Sequence, residues 1–151
     1  MLDVDRSFGG LEGEVVSHIG ASEGFAQLAM RACGKQVWGD HPWFESAFLG
    51  GFSSLPGYSR NRFAGNTSFY AGVEPSAWLF TLKIPLPFRF GVLGMADIGR
   101  VWLTGEQSNE WHHTWAAGGM IHPVATHFTL TGAVAKSPDQ TRVYVTTRSF
   151  F

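Results

Sequence analysis

The chain reads as all-β, an antiparallel meander of about seven strands. Three observations predict it. Charged residues make up only 15% of the 151, aromatics another 15%, and 19 positions are glycine. Apolar and polar residues alternate with period two through most of the chain, while helical spacing is scarce. Turn-forming clusters separate the alternating runs. A charge content well below the usual quarter suits a β protein with an apolar surface as well as an apolar interior.

The first strand is expected at about Phe8 to Ile19, with Glu12, Glu14, Val16 and His18 on one face and Leu11, Gly13, Val15 and Ser17 on the other. A short turn over 19–24 leads to the second strand, about Phe25 to Trp38. Here Gln27, Arg31, Cys33 and Lys35 share one face and Ala26, Leu28, Met30 and Ala32 the other. Residues 23–33 are the best helical candidate, but their apolar positions also fit period two. The third strand, about Thr67 to Phe80, sets Tyr70, Gly72 and Glu74 against Phe69, Ala71 and Val73. Pro75 interrupts it, which implies a bulge or an edge position.

After an Ile84–Pro87 turn, the fourth strand runs from about Phe88 to Leu103. Arg89, Gly91, Leu93, Met95, Asp97 and Gly99 alternate with Phe90, Val92, Gly94, Ala96, Ile98 and Trp102. A polar loop, Thr104 to Glu110, precedes the fifth strand, about Trp111 to His122. A tight turn at Pro123–Ala125 precedes the sixth, about Thr126 to Lys136. The last, Gln140 to Phe151, sets Arg142, Tyr144, Thr146 and Arg148 against Val143, Val145 and Thr147.

Between strands two and three lies a connection of different character, about 39–66. It is glycine-rich and carries Arg60 and Arg62 among aromatics. Loops of this length without regular structure are uncommon unless they are functional. Strands of about ten alternating residues are the weak signature of a transmembrane barrel. Aromatics near strand ends (Trp38, Trp78, Phe88, Trp102, Trp111, Phe151) resemble interface girdles. Short connections alternating with longer ones match the two rims of such a barrel. No run approaches the roughly 20 apolar residues of a membrane helix. The N-terminus has no apolar signal core. A barrel would then need an export signal upstream, so the chain is expected to be part of a longer protein.

The composition and motifs also speak to other classes. The net charge of −1 offers no basic surface for nucleic acid. Cys33 is the single cysteine and allows no intrachain disulfide. His112 and His113 point to opposite faces of a strand, so they cannot chelate one ion together. With His122 and His127 they read as wall or rim residues, and no metal or other cofactor is expected. Glu12 and Glu14 share a face but read as a solvated wall rather than a catalytic carboxylate pair. Asp97 with the loop arginines lacks an accompanying nucleophile and base, so no catalytic residue is assigned. A carboxylate at Asp97 on an apolar wall needs a partner. Arg60 and Arg62 are the candidates, and Gly91 and Gly99 would let the loop approach closely.

Two motifs in this order resemble the bacterial surface antigen family, the C-terminal barrel of the outer-membrane assembly factor superfamily (BamA/TamA-like). The likeness covers most of the chain, best from about Trp38 onward. The first is the tip of a long barrel-inserting loop, here Leu55-Pro56-Gly57-Tyr58, continued by Arg60, Arg62, Phe63 and Gly65. The second is a lumen-wall motif, here Met95, Asp97 and Gly99. Pro56 stands where the family has its tip arginine, and Met95 where it has an aromatic. Pro75-Ser76 stand after Glu74 where the family continues Leu-Arg.

The resemblance implies residues 1–151 as the C-terminal part of an outer-membrane barrel. Glu74, Arg142 and Arg148 would face its lumen, and Phe151 would be the C-terminal barrel signal. The implied partners are the outer-membrane bilayer, unfolded outer-membrane protein substrates and assembly-machinery lipoproteins. The implied role is non-enzymatic insertion or translocation of outer-membrane proteins. Two other classes stay open: a passive porin-like channel and a soluble β-sandwich binding module.

Overall fold

The computed structural model describes residues 7–21, 24–83, 85–105 and 110–147. Within them lie nine strands: β1 Phe8–Gly20, β2 Ala26–Gly39, β3 Ala47–Leu49, β4 Phe63–Gly65, β5 Thr67–Leu82, β6 Phe88–Trp102, β7 His112–Pro123, β8 Leu130–Lys136 and β9 Thr141–Thr146. Seven form one antiparallel sheet in the order β1-β2-β5-β6-β7-β8-β9, and β3 pairs with β4 separately. The meander of about seven strands is therefore the fold. β1 and β9 are its edges.

Alternation decides what each face carries. The 39–66 connection lies on one face, called here the covered face. There β2 contributes Ala29, Arg31, Cys33 and Val37, and β6 contributes Leu93, Met95, Asp97 and Gly99, all buried. β7 and β8 add Thr114, Ala116, Met120, Thr131, Ala133 and Ala135. Leu93, Met95, Ala116, Met120, Ala133 and Ala135 form one apolar cluster, packed on by Phe52, Trp78 and Tyr144. The opposite, open face is apolar and exposed. Leu11 and Val15 on β1 are 70% and 71% accessible, and Val143 and Val145 on β9 are both 73%. Val73, Val92, Ile98, Trp115 and Val134 are exposed between them. The face assignments read from the sequence hold on β1, β2, β5, β6 and β9 over the described residues.

Residues 26–33 are strand, as expected, paired with β1 on one side and β5 on the other. Several other local expectations are corrected. Pro75 sits at neither an edge nor a bulge. The β2 ladder runs past it unbroken, while on the β6 side pairing pauses after Val73 and resumes in register at Ser76. The register shift falls instead between Trp78 and Phe80. β8 starts at Leu130, later than expected, because the Thr126 hydroxyl and N–H both donate to Pro123 O, at 2.8 and 2.9 Å, and prolong the turn. Trp78 belongs to no girdle: it lies on the covered face beside Arg89, whose guanidinium is 5.0 Å from its ring centre. The expected roles of Arg148 and Phe151 lie outside the described residues.

Tight approach at Gly118 brings β7 and β8 together. A Cβ there would collide with Gly132 O and lie 2.7 Å from Ala133 Cβ. Gly118→Ala is expected to destabilise the sheet by about 1–3 kcal/mol, as overpacking does. The check is the denaturation midpoint against Gly132→Ala, whose Cβ meets nothing within 4 Å.

Candidate functional site

The site is built where the long connection meets the covered face. The connection is more ordered than its composition suggests. A 3-10 turn at Trp43–Glu45 leads into the β3–β4 hairpin. Gly50 and Gly51 leave β3 at φ 114° and 100°, a backbone open to glycine. A Cβ on Gly50 would lie 2.5 Å from Ser59 O, so the turn also needs the missing side chain. Ser54 Oγ accepts from Gly50 N at 2.9 Å, and Gly51 N donates to Leu55 O at 3.2 Å. The segment closes on itself before it touches the sheet.

Apolar contact then seats it. Leu49, Leu55 and Tyr58 are almost wholly buried and pack with Phe63, Tyr70 and Val101. Leu49 Cδ2 would lie 2.9 Å from a Cβ at Gly99, so this wall glycine makes room for the loop as expected. Gly91 does not serve the loop; its missing side chain accommodates Trp78 and Met120. Phe63 stacks on His112 at 3.7 Å between ring centres, and Tyr58 meets both edge-on. Burial pushes the Tyr58 hydroxyl above the ordinary tyrosine range.

The polar lock differs from the expected one. Asp97 is buried, but its cation is Arg31 of β2, with Nη2 3.4 Å from Asp97 Oδ1. Register explains the reach: Arg31, Gly72 and Asp97 lie opposite one another on β2, β5 and β6. Glycine at 72 leaves the face open between them. Arg31 also donates to Ser53 O at 2.8 Å and Ser54 O at 3.3 Å, and lies over the Tyr70 ring at 5.2 Å. One guanidinium thus ties wall to loop. Glu74, on the same face, is 2% exposed.

Arg60 and Arg62 are exposed and do not reach Asp97. Arg62 instead pairs with Asp139 at 3.4 Å at a half-exposed position, worth at most about 1 kcal/mol.

The tip is held at the far side of the sheet. Tyr144 OH donates to Pro56 O at 3.1 Å, and Ser137 Oγ to Gly57 O at 3.0 Å. Arg142 Nη2 donates to Ser59 Oγ at 2.7 Å, and Gln140 Nε2 to the same oxygen at 3.3 Å. Gly57 fits because a Cβ there would lie 2.8 Å from Ser137 Cβ. Pro56 therefore contributes its carbonyl to the lock, with no side-chain charge. The structure brings together Leu55, Pro56, Gly57, Tyr58, Phe63, Gly99 and Arg142 at one interface. Met95 stays below it in the apolar cluster, and Gly65 turns the chain tightly against Trp102 O.

Sequence reading placed Arg31 on the correct face without naming it as the partner of Asp97. An arginine next to the small Ala29 and Cys33, on the face that also carries Gln27 and Lys35, was the available signal. Ser137 and Tyr144 carried none. Among the described residues no group of three or more His, Cys, Asp or Glu could hold a metal ion. No helix there is long and apolar enough to cross a membrane, which bears on helices alone. No family model, curated protein or solved structure matches the chain.

Arg31→Met should strand Asp97 and release both loop carbonyls, at about 3–5 kcal/mol. Asp97→Asn should lose less. A double-mutant cycle on unfolding free energy checks the pair; additivity would mean that the two side chains are not coupled.

Proposed function

We propose that this chain is barrel wall of an outer-membrane protein of the surface antigen type, with the 39–66 segment as its lumen loop, and that it acts in insertion or translocation of outer-membrane proteins. One observation carries the membrane part: the polarity of the sheet is inverted. The exposed face is apolar from β1 to β9, while Arg31, Glu74, Asp97, Thr114 and Thr131 are buried on the other. A soluble sandwich buries its apolar face against a second sheet. Here the covering segment lies, among the described residues, on the opposite face, where an apolar cluster is mixed with Arg31, Glu74, Asp97, Thr114 and Thr131, and the exposed apolar face is left open. A lipid-facing wall has this arrangement, apolar outside and polar within.

Edges support the same reading. Seven alternating strands leave β1 and β9 running in the same direction. Open edges do not persist in lipid. Antiparallel closure then needs an odd number of further strands, whatever supplies them, giving the even total usual for bacterial barrels. The assembly role rests on the resemblance of the loop and wall motifs. It gains support from a loop that packs on the covered face from β2 to β9, which an open passive pore has no need of. The role is non-enzymatic: Asp97 is engaged by Arg31, which also anchors the loop, in the manner of a structural tie.

Purified full chain should aggregate in plain buffer and give a β-sheet spectrum in detergent micelles. A stable monomer in detergent-free buffer would sink the membrane reading and favour the sandwich. In liposomes, the inserted chain should speed the folding of an added, unfolded barrel protein. A steady open conductance in planar bilayers without that acceleration would favour the passive channel.

A further inference from the structure

The sheet holds its last described strand weakly. β9 is an edge strand with β8 as its one neighbour in the sheet. Its ladder covers only Thr141–Thr146, whereas the other edge strand, β1, pairs with β2 along all of Phe8–Gly20. On the open face Val143 and Val145 pack against little, both being 73% accessible. A strand with one short ladder and a bare face belongs to the part of a structure that opens first.

The loop supplies a grip on the covered face. Tyr144 OH donates to Pro56 O at 3.1 Å, and the Tyr144 ring lies 5.3 Å from that of Phe52. Arg142 Nη2 donates to Ser59 Oγ at 2.7 Å. The turn into β9 is held too. Ser137 Oγ donates to Gly57 O and accepts from Gln140 N at 3.2 Å, so one hydroxyl closes the turn and meets the loop tip. Over β1 the covered face is bare, with Glu12, Glu14 and Val16 exposed.

The two anchors of the loop also differ in burial. The Arg31 and Asp97 side chains are 5% and 0% accessible. Ser59, Gln140, Arg142 and Tyr144 are only half-buried. Water competes for the second set of bonds and hardly for the first. The tip can therefore leave β9 while Arg31 still holds Ser53 and Ser54.

We infer that residues 56–59 are a latch on the β9 edge: seated, they keep β9 in its short ladder; released, they leave β9 free to fray while the rest of the loop stays in place. The inference goes beyond the membrane reading and does not rest on it, since every contact lies within the chain. The coupling is reciprocal by linkage. Whatever draws the tip away loosens β9, and whatever orders β9 tightens the tip.

Hydrogen exchange followed by mass spectrometry on the folded full chain tests the latch. Ser59→Ala removes the acceptor shared by Arg142 and Gln140 without altering β9. Exchange over 141–146 should rise about tenfold, the scale of one hydrogen bond to a charged donor. Exchange over β1 should stay as in wild type. Tyr144→Phe keeps the ring and removes the donor to Pro56 O. It should speed exchange over 55–62 about fivefold, reading the same coupling from the strand side. Trp43→Ala, at an exposed loop residue whose ring meets Phe44, should leave β9 unchanged. Unchanged exchange over 141–146 in Ser59→Ala would overturn the latch, as would equal acceleration over β1, which would mean general loosening. If Ser59→Ala does not fold, Tyr144→Phe decides alone, and unchanged loop exchange overturns the latch. A stable monomer in plain buffer would sink the membrane reading and leave the latch standing.

Discussion

A single guanidinium joins the two halves of this structure. Arg31 reaches across Gly72 to Asp97 and, with its other donors, holds the carbonyls of Ser53 and Ser54. Each contact constrains the others. Asp97 is buried at 4% exposure and would be costly there without a cation. The loop carbonyls would otherwise face a carboxylate. The small residue at 72 keeps the row open, and the row exists only because β2, β5 and β6 share one register. A slip by one residue would send Arg31 to the open face. The ion pair thus ties strand register to loop position.

The second anchor lies some strands away. Ser137, Gln140, Arg142 and Tyr144 bind the backbone or hydroxyl of residues 56–59. Together the two anchors stretch the loop across the covered face from β2 to β9. Apolar packing of Leu49, Leu55 and Tyr58 between them fills the gap. Most of these polar bonds go to loop backbone or to small hydroxyls, so they read the path of the loop more than its side chains. Such a lock tolerates Pro56 in the tip, since only its carbonyl is used.

Much of the fold was legible because alternation is a local signal. Val143 and Val145 against Arg142 and Tyr144 declare two faces without knowledge of any neighbour. Leu93, Met95, Asp97 and Gly99 likewise belong together on β6 by spacing alone. The partner of Asp97 was not legible, because Arg31 lies 66 positions away and meets it only through registers that no local pattern states. Arg60 and Arg62 drew notice by proximity to the loop tip, yet the turn at Gly50 and Gly51 points them outward. Pro75 misled for a related reason: its ladder pause on the β6 side is absorbed within the sheet. The lock on β8 and β9 was hidden in ordinary serine and tyrosine, residues whose roles depend on what the fold places opposite them.

The account depends most on which solvent the two faces of the sheet meet. Nitroxide labels placed singly along β6, in a Cys33→Ser background, would report this in lipid bilayers. Labels at Val92, Ala96 and Ile98 should collide readily with lipid-dissolved oxygen and poorly with a water-soluble relaxant. Labels at Leu93 and Met95 should be shielded from both, giving a period of two along the strand. Ready access of the water-soluble relaxant to Val92, Ala96 and Ile98, or no alternation at all, would contradict a lipid-facing wall.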